Sequence, residues 1–293
     1  MVYPPGHQTI DNEGRTDRLK VSIRKKQRMN IIRVESIKKI EQQFATGEEP
    51  VLVVCSNKQS YICKYMRNTA SSYKLVCEFI GSIYAKQWKI STPPIAFVQI
   101  KKEHFSINSS KNLTAPAFGS QKLESVIDLN PTTSLDISPS VDIIFQLLTI
   151  SLFDFWIANE DRNWNNSNLL YDIVNKKLVA IDHGCIFNTA SFDIPLSQLT
   201  STDSILYSDL FHHLTQNHTK AKVIQVSNNL EKGYKGFIES CKQLIPSIII
   251  NTPSEWNVQK SIIQDKLEQL FEETWIEDAL QNYKDILKEN LDE

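Results

Sequence analysis

Glycine and proline are too sparse, at 8 and 11 of 293 residues, for a collagen-like chain. Cysteine is also too thin for a disulfide framework. Cys55, Cys63, Cys77, Cys185 and Cys241 are odd in number, with no C-x-x-C pair and no His cluster nearby, which also excludes a structural zinc site. Buried reduced thiols are the expectation. No charge sign dominates: 32 Lys and Arg against 34 Asp and Glu leave −2, so there is no overall pull toward nucleic acid or a membrane. The longest apolar stretch, 141–158, is broken by Asp142, Gln146 and Asp154 and falls short of the roughly 20 residues a membrane span needs. It reads as a buried helix. The first residues hold no basic region followed by an apolar run and a small-residue cleavage site, so the expected compartment is the cytoplasm. What remains, 41% apolar and 23% charged, is the composition of a soluble globular protein, long enough for one large domain or two lobes sharing a cleft.

Residues 1–30 carry Arg15, Arg18, Lys20, Arg24, Lys25, Lys26 and Arg28 against Asp11, Glu13 and Asp17, and read as a mobile basic arm. Residues 31–105 form a first lobe. In it, Val34, Ile37, Ile40 and Phe44 recur at helical spacing, and Gly47 with Glu48-Glu49-Pro50 ends that element. Val51 to Cys55 and Tyr61 to Tyr65 are β-rich runs joined by a turn at 56–60, a hairpin pattern. Helical spacing returns over 72–89, Pro93-Pro94 stop it, and a strand follows near 95–100. Residues 106–140, rich in Ser, Thr, Asn and Pro, read as a connection. Residues 141–293 hold the apolar helix, a polar loop, a short hairpin at 169–182 and then helical patterns to the end. No internal repeat is visible.

The chemistry concentrates in Asn159-Glu160-Asp161-Arg162-Asn163-Trp164-Asn165-Asn166-Ser167-Asn168 and in Ile181-Asp182-His183-Gly184. A hairpin turn centred on Asn175-Lys176 sets Leu169 opposite Asp182, and so places Asp182 beside Asn166 and Asn168. An acid and carboxamides at the mouth of a hairpin, with Asp161 upstream, suit magnesium-dependent phosphoryl transfer. Mg²⁺ takes few protein oxygens and leaves its other positions to phosphates and water, while the second acid receives the proton of the attacking hydroxyl. The protein-kinase catalytic loop has the same spacing, a base Asp with a metal-binding Asn five residues on and a metal-binding Asp before Gly after a hairpin. Lys64, inside the apolar run Tyr61 to Tyr65, is either an edge-strand lysine or a lysine reaching nucleotide phosphates. Glu78, about 60° off the buried arc of the next helix, can look back along the sheet as its partner.

These residues together resemble the HipA-like kinases, above all the short forms that consist of the kinase core, over about residues 34–290. The resemblance implies an α+β, two-lobed protein-kinase-like fold, with a β-rich N-terminal lobe that binds nucleotide and a mainly helical C-terminal lobe. It implies ATP and Mg²⁺ in the cleft and transfer to a Ser or Thr hydroxyl of a protein. Residue by residue, Asp161 becomes the catalytic base, Asn166 and Asp182 the metal ligands, Lys64 the phosphate-binding lysine and Glu78 its partner. HipA-like kinases can be silenced by phosphorylation of a serine in the nucleotide-binding loop, which here points to Ser56 or Ser60. They often act as toxins on translation components, held by an antitoxin; no membrane or direct nucleic-acid contact is expected of this chain.

The 56–60 turn contains no glycine, so the G-x-G-x-x-G cover of ordinary protein kinases is missing, and no A-P-E string follows Asp182-His183-Gly184. HipA-like enzymes also lack that glycine signature, whereas His183 in place of Phe after Asp182 and the missing A-P-E string fit phosphoinositide kinases as well. Two other readings stand beside this one: a pseudokinase that binds nucleotide or a partner without transfer, and a lipid kinase of the phosphoinositide type, which shares the D-R-x-x-x-N and D-x-G pattern.

Overall fold

Short strands, several of them buried on both faces, build the sheet that carries the first half of the site. The computed structural model describes residues 29–105, 114–130, 132–133 and 137–292. Strands β1 (Ile32–Glu35), β2 (Gln42–Gln43), β3 (Val51–Val54), β4 (Ser60–Lys64), β5 (Ile95–Gln99) and β6 (Ala117–Gln121) form a six-stranded sheet in the order β1-β5-β6-β4-β3-β2. The β1–β5 pair is parallel and the others are antiparallel. In β4 the buried Tyr61 and Cys63 alternate with half-buried Ser60, Ile62 and Lys64. Tyr61 and Cys63 join a small core with Val51, Val53, Ala96, Val98 and Ala117 on one face, so the period-2 alternation of a strand turns Lys64 to the other face.

Helix α1 (Thr69–Gln87) packs there. Its start is set by reciprocal capping: Asn68 Oδ1 accepts from Ser71 N at 2.9 Å, and Ser71 Oγ accepts from Asn68 N at 3.0 Å. Helix α2 (Val141–Ile157) begins with the Ser140 side chain accepting from Ile143 N, and its residues from Leu147 to Ile157 are all buried. Between them the chain adds β7 (Val126–Asp128), which pairs with the hairpin β8 (Leu169–Asp172) and β9 (Lys177–Ala180). Helices α3 (Asp209–Thr215), α4 (Lys220–Lys242), α5 (Ile245–Asn251), α6 (Lys260–Gln269) and α7 (Glu273–Asp292) complete the helical half. One large core runs through α1, the lower face of β5 and β6, α2 and these helices. Among the described residues no helix is long and apolar enough to cross a membrane.

The structure departs from expectation in three places. The helix expected from Val34 to Phe44 is β1, a loop and β2: Val34 is buried, but Ile37 is 53% exposed, so the helical spacing marks no common face. Residues 32–35 are extended because they pair with β5. Part of the stretch 106–140, expected as a connection, belongs to sheets, with β6 lying between β4 and β5. The hairpin register is shifted: Leu169 lies opposite Ala180, not Asp182. The turn is longer than expected because the Asp172 carboxylate accepts from Val174 N at 3.0 Å and Asn175 N at 2.8 Å, holding 173–176 together. Nearly all of the expected arm at 1–30, and residues 106–113, lie outside the described residues.

Candidate active site

Lys64 stands on an interior strand, between β3 and β6. Its Nζ lies 2.5 Å from Glu78 Oε1, 2.6 Å from Asp182 Oδ1 and 2.9 Å from Glu48 Oε2. The sheet, α1 and the end of the β8–β9 hairpin therefore meet at one ammonium. Burial alone would lower the Lys64 pKa, but Glu78, Asp182 and Glu48 outweigh it and hold the lysine well above its ordinary value. Burial pushes Glu78 up to about 8 despite the lysine beside it, with Asp182 adding to the rise. Burial works the same way on Asp182, but the Lys64 charge and hydrogen bond prevail and keep that carboxyl well below the usual range. Of these two acids, Asp182 holds its charge more firmly.

Glu78 also accepts from the backbone N of His183 at 3.0 Å, through Oε2. This contact needs α1 to approach the Asp182-His183-Gly184 segment closely, and Gly81 permits it: a Cβ there would lie 2.3 Å from His183 Cβ. Asp182 itself has a φ of 54°.

Asp161 follows the end of α2, where Ala158 turns the chain with a φ of 52°. Its carboxylate accepts from Asn166 Nδ2 at 3.3 Å on Oδ1 and from Asn168 Nδ2 at 3.0 Å on Oδ2. Asn168 Nδ2 also reaches the Asp161 carbonyl at 3.1 Å, and the Asn168 carbonyl accepts from Ile181 N at 3.0 Å. Asn168 thus stands across the ladder from Ile181, next to Asp182, whereas Asn166 lies two residues farther along the loop. The loop is anchored from below by Arg162, which is fully buried. Its Nη1 lies 2.5 Å from Asp154 Oδ1, and its Nη2 donates to the Ile181 carbonyl at 2.9 Å. Asn159 Nδ2 donates to the same Asp154 oxygen at 2.8 Å. This ties the end of α2 to the end of β9 and so fixes Asp161 relative to Asp182.

After Gly184 the chain enters a left-handed turn in which Phe187, Asn188, Thr189 and Ala190 have φ of 59°, 51°, 60° and 61°. Each such residue costs roughly 1–2 kcal/mol, and side chains hold the turn in place. Asn188 Nδ2 donates to Glu160 Oε1 at 2.8 Å and to the Ser197 carbonyl at 3.0 Å, and Thr189 Oγ1 donates to Glu160 Oε2 at 2.7 Å. Glu160, beside Asp161, thereby couples the two loops.

Of the residues singled out from sequence, Lys64, Glu78 and Asp182 come into direct contact, and Asp161 and Asn166 touch each other. Ser56 and Ser60 do not join them. Ser56 lies in the far turn of the β3–β4 hairpin and Ser60 opens β4 beside that turn, four strand positions from Lys64, about 13 Å at ~3.3 Å per residue. The turn that covers Lys64 is instead 44–50, between β2 and β3, where Glu48 sits. Two further residues carry little signal in the sequence: Glu48 lies in a short turn, and Asp154 only interrupts an apolar helix. Glycine at 47, next to an acid ahead of a strand, was the available signal for the first.

A family model described as HipA-like kinase matches residues 35–286. The chain belongs to the HipA-like kinase family. No curated protein matches it in sequence. Among solved structures it is similar to the Helicobacter pylori proinflammatory kinase CtkA, with 12% identity over 86% of this chain and 98% of that one, at a TM-score of 0.54. The Golgi casein kinase also matches, with 12% identity over 92% of this chain and 76% of that one, at a TM-score of 0.39. The likeness to CtkA establishes the two-lobed, α+β kinase fold expected from sequence. A HipA-like kinase with this fold has the scaffold of a phosphotransferase.

Proposed function

We propose that this HipA-like kinase transfers the γ-phosphate of ATP, with Mg²⁺, to a Ser or Thr hydroxyl of a protein. The observation that carries the reading is the Lys64 ammonium held between Glu78 and Asp182, which draws sheet, helix and hairpin into one cleft. In phosphoryl transfer such a lysine grips the nucleotide phosphates, and its helix-borne carboxylate fixes its direction. Asp161 accepts the proton of the attacking hydroxyl, with its carboxylate oriented by Asn166 and Asn168.

The donor set fits a magnesium ion. Among the described residues no three His, Cys, Asp or Glu side chains cluster tightly enough to hold a metal alone. Asp182 and a carboxamide, completed by phosphate oxygens and water, make up the sparse protein contribution that Mg²⁺ accepts. Both carboxamide nitrogens donate to Asp161 and leave their Oδ1 atoms for a cation, but Asn168 suits that role better than Asn166 because it lies across the ladder from Ile181, next to Asp182. A metal held there supplies neutralisation of the charge on the transferring phosphates.

The test is γ-phosphate transfer from labelled ATP and Mg²⁺ to the chain itself and to lysate proteins. Label that falls about 10²- to 10⁴-fold in Asp161→Ala, and is lost in Asp182→Ala, supports the reading. If wild type binds ATP but all three proteins are silent, the chain is a pseudokinase. Label that passes to phosphoinositide vesicles and not to protein indicates a lipid kinase.

A further inference from the structure

Glu48 has no part in the transfer chemistry above, yet it is tied to two lysines. Its Oε2 lies 2.9 Å from Lys64 Nζ and its Oε1 lies 2.9 Å from Lys74 Nζ. Lys74 sits on α1 one helical turn before Glu78, on the same face of the helix. It lines a pocket of about 180 Å³ together with Gly47, Glu48, Lys64 and Leu75. An ammonium has three N–H donors, and Glu78, Asp182 and Glu48 engage all three on Lys64. Of those acids, Glu78 is buried and also bound by His183 N, while Asp182 belongs to the end of the hairpin. Glu48 is on a surface turn with its side chain 26% exposed. That turn is fastened by side chains, with Arg67 Nη1 donating to the Gly47 carbonyl and Arg67 Nη2 paired with Glu49, both at 3.2 Å. Glu48 is therefore the acid that can leave without disturbing helix or hairpin.

One carboxylate bridging two ammonium groups spans them with two oxygens. A phosphate group offers oxygens at a similar spacing and carries more charge, so it competes for the same donors. We propose that Lys74 is a second phosphate-binding cation beside Lys64, and that Glu48 stands in the place of a nucleotide phosphate and swings into solvent when the nucleotide binds. This rests on the kinase reading above and adds to it a residue that senses the phosphate chain rather than the adenosine.

The experiment is calorimetric titration of wild type, Lys74→Met, Lys74→Arg and Glu48→Gln with ATP, ADP and adenosine in Mg²⁺, with a melting curve for each protein. The Lys74 side chain is 34% exposed, so its replacement is expected to leave the fold intact. Lys74→Met is expected to weaken ATP about tenfold and leave adenosine unchanged, the loss of one charge-assisted contact. Lys74→Arg keeps ATP binding, and Glu48→Gln tightens it several-fold. The proposal is overturned if Lys74→Met binds ATP as wild type does, if it loses ATP and adenosine in equal proportion, or if Glu48→Gln weakens ATP. Wild type that binds none of the three ligands overturns the kinase reading itself, and this proposal with it.

Discussion

Asn166 and Asn168 differ by two positions and by which parts of Asp161 they hold. Asn166 touches one carboxylate oxygen, whereas Asn168 holds the other oxygen and the backbone carbonyl and stands beside Asp182 across the ladder. Spacing alone favours Asn166, because five residues from the base to the amide is the protein-kinase interval. Asn163 folds the loop back, its side-chain oxygen accepting from Asn165 N at 3.0 Å and Asn166 N at 3.2 Å, and the residue that then stands across from Ile181 is Asn168. Asn168→Ala is therefore expected to raise the Mg²⁺ concentration needed for half-maximal transfer at least the roughly 10- to 100-fold that loss of an outer partner costs a metal site. Asn166→Ala is expected to change it far less. A magnesium titration of transfer rate in the two variants checks this, and a larger shift in Asn166→Ala than in Asn168→Ala would return the role to Asn166.

At the scale of elements, the close approach of α1 to the Asp182-His183-Gly184 segment joins the two halves of the cleft. Gly81→Ala places a methyl group 2.3 Å from His183 Cβ, an overpacking expected to cost about 1–3 kcal/mol. It should also move Glu78 away from His183 N. Thermal melting reads the first effect and nucleotide binding the second; a variant that melts and binds like wild type would show that the helix shifts freely. Elements were legible in the sequence where their own residues decide the structure. Helix α1 has its 3.6-residue period and the Pro93-Pro94 stop after it, α2 its apolar run, and β3 and β4 their β-branched and aromatic runs. They were illegible where partners decide. Strand β1 is four residues long and extended because β5 lies alongside it, and β6 is a strand because β4 and β5 flank it on both sides. The hairpin register turned on one side chain, Asp172, which two-residue turn arithmetic does not include.

Across the whole molecule the two lobes are not separate bodies. Trp88, at the end of α1, stacks on Trp156 of α2 with ring centroids 5.5 Å apart, and Tyr84 lies 5.5 Å from the same indole. From the helical half, Trp256 comes under the sheet: it meets Phe97 edge-on at 5.6 Å, and its Nε1 donates to the Pro116 carbonyl at 2.7 Å. A shared core of this kind predicts one cooperative unfolding transition. Tryptophan fluorescence and far-UV circular dichroism should give coincident midpoints in urea, and two resolved transitions would show that the lobes are independent. The site was legible in part for the same reason the core was not. Lys64, Asp161 and Asp182 carry their chemistry in their residue types, whereas Glu48, Asp154 and Trp256 matter only through what they touch across the fold.

Trp256 also bears on the order in which this protein takes shape during synthesis. The strands it supports are complete in sequence by Gln121, yet the side chain that seals their underside is made more than a hundred residues later. At about 5–20 residues per second, the sheet waits on the order of ten seconds for its floor. The half of the cleft that carries Lys64 is thus translated first and finished last.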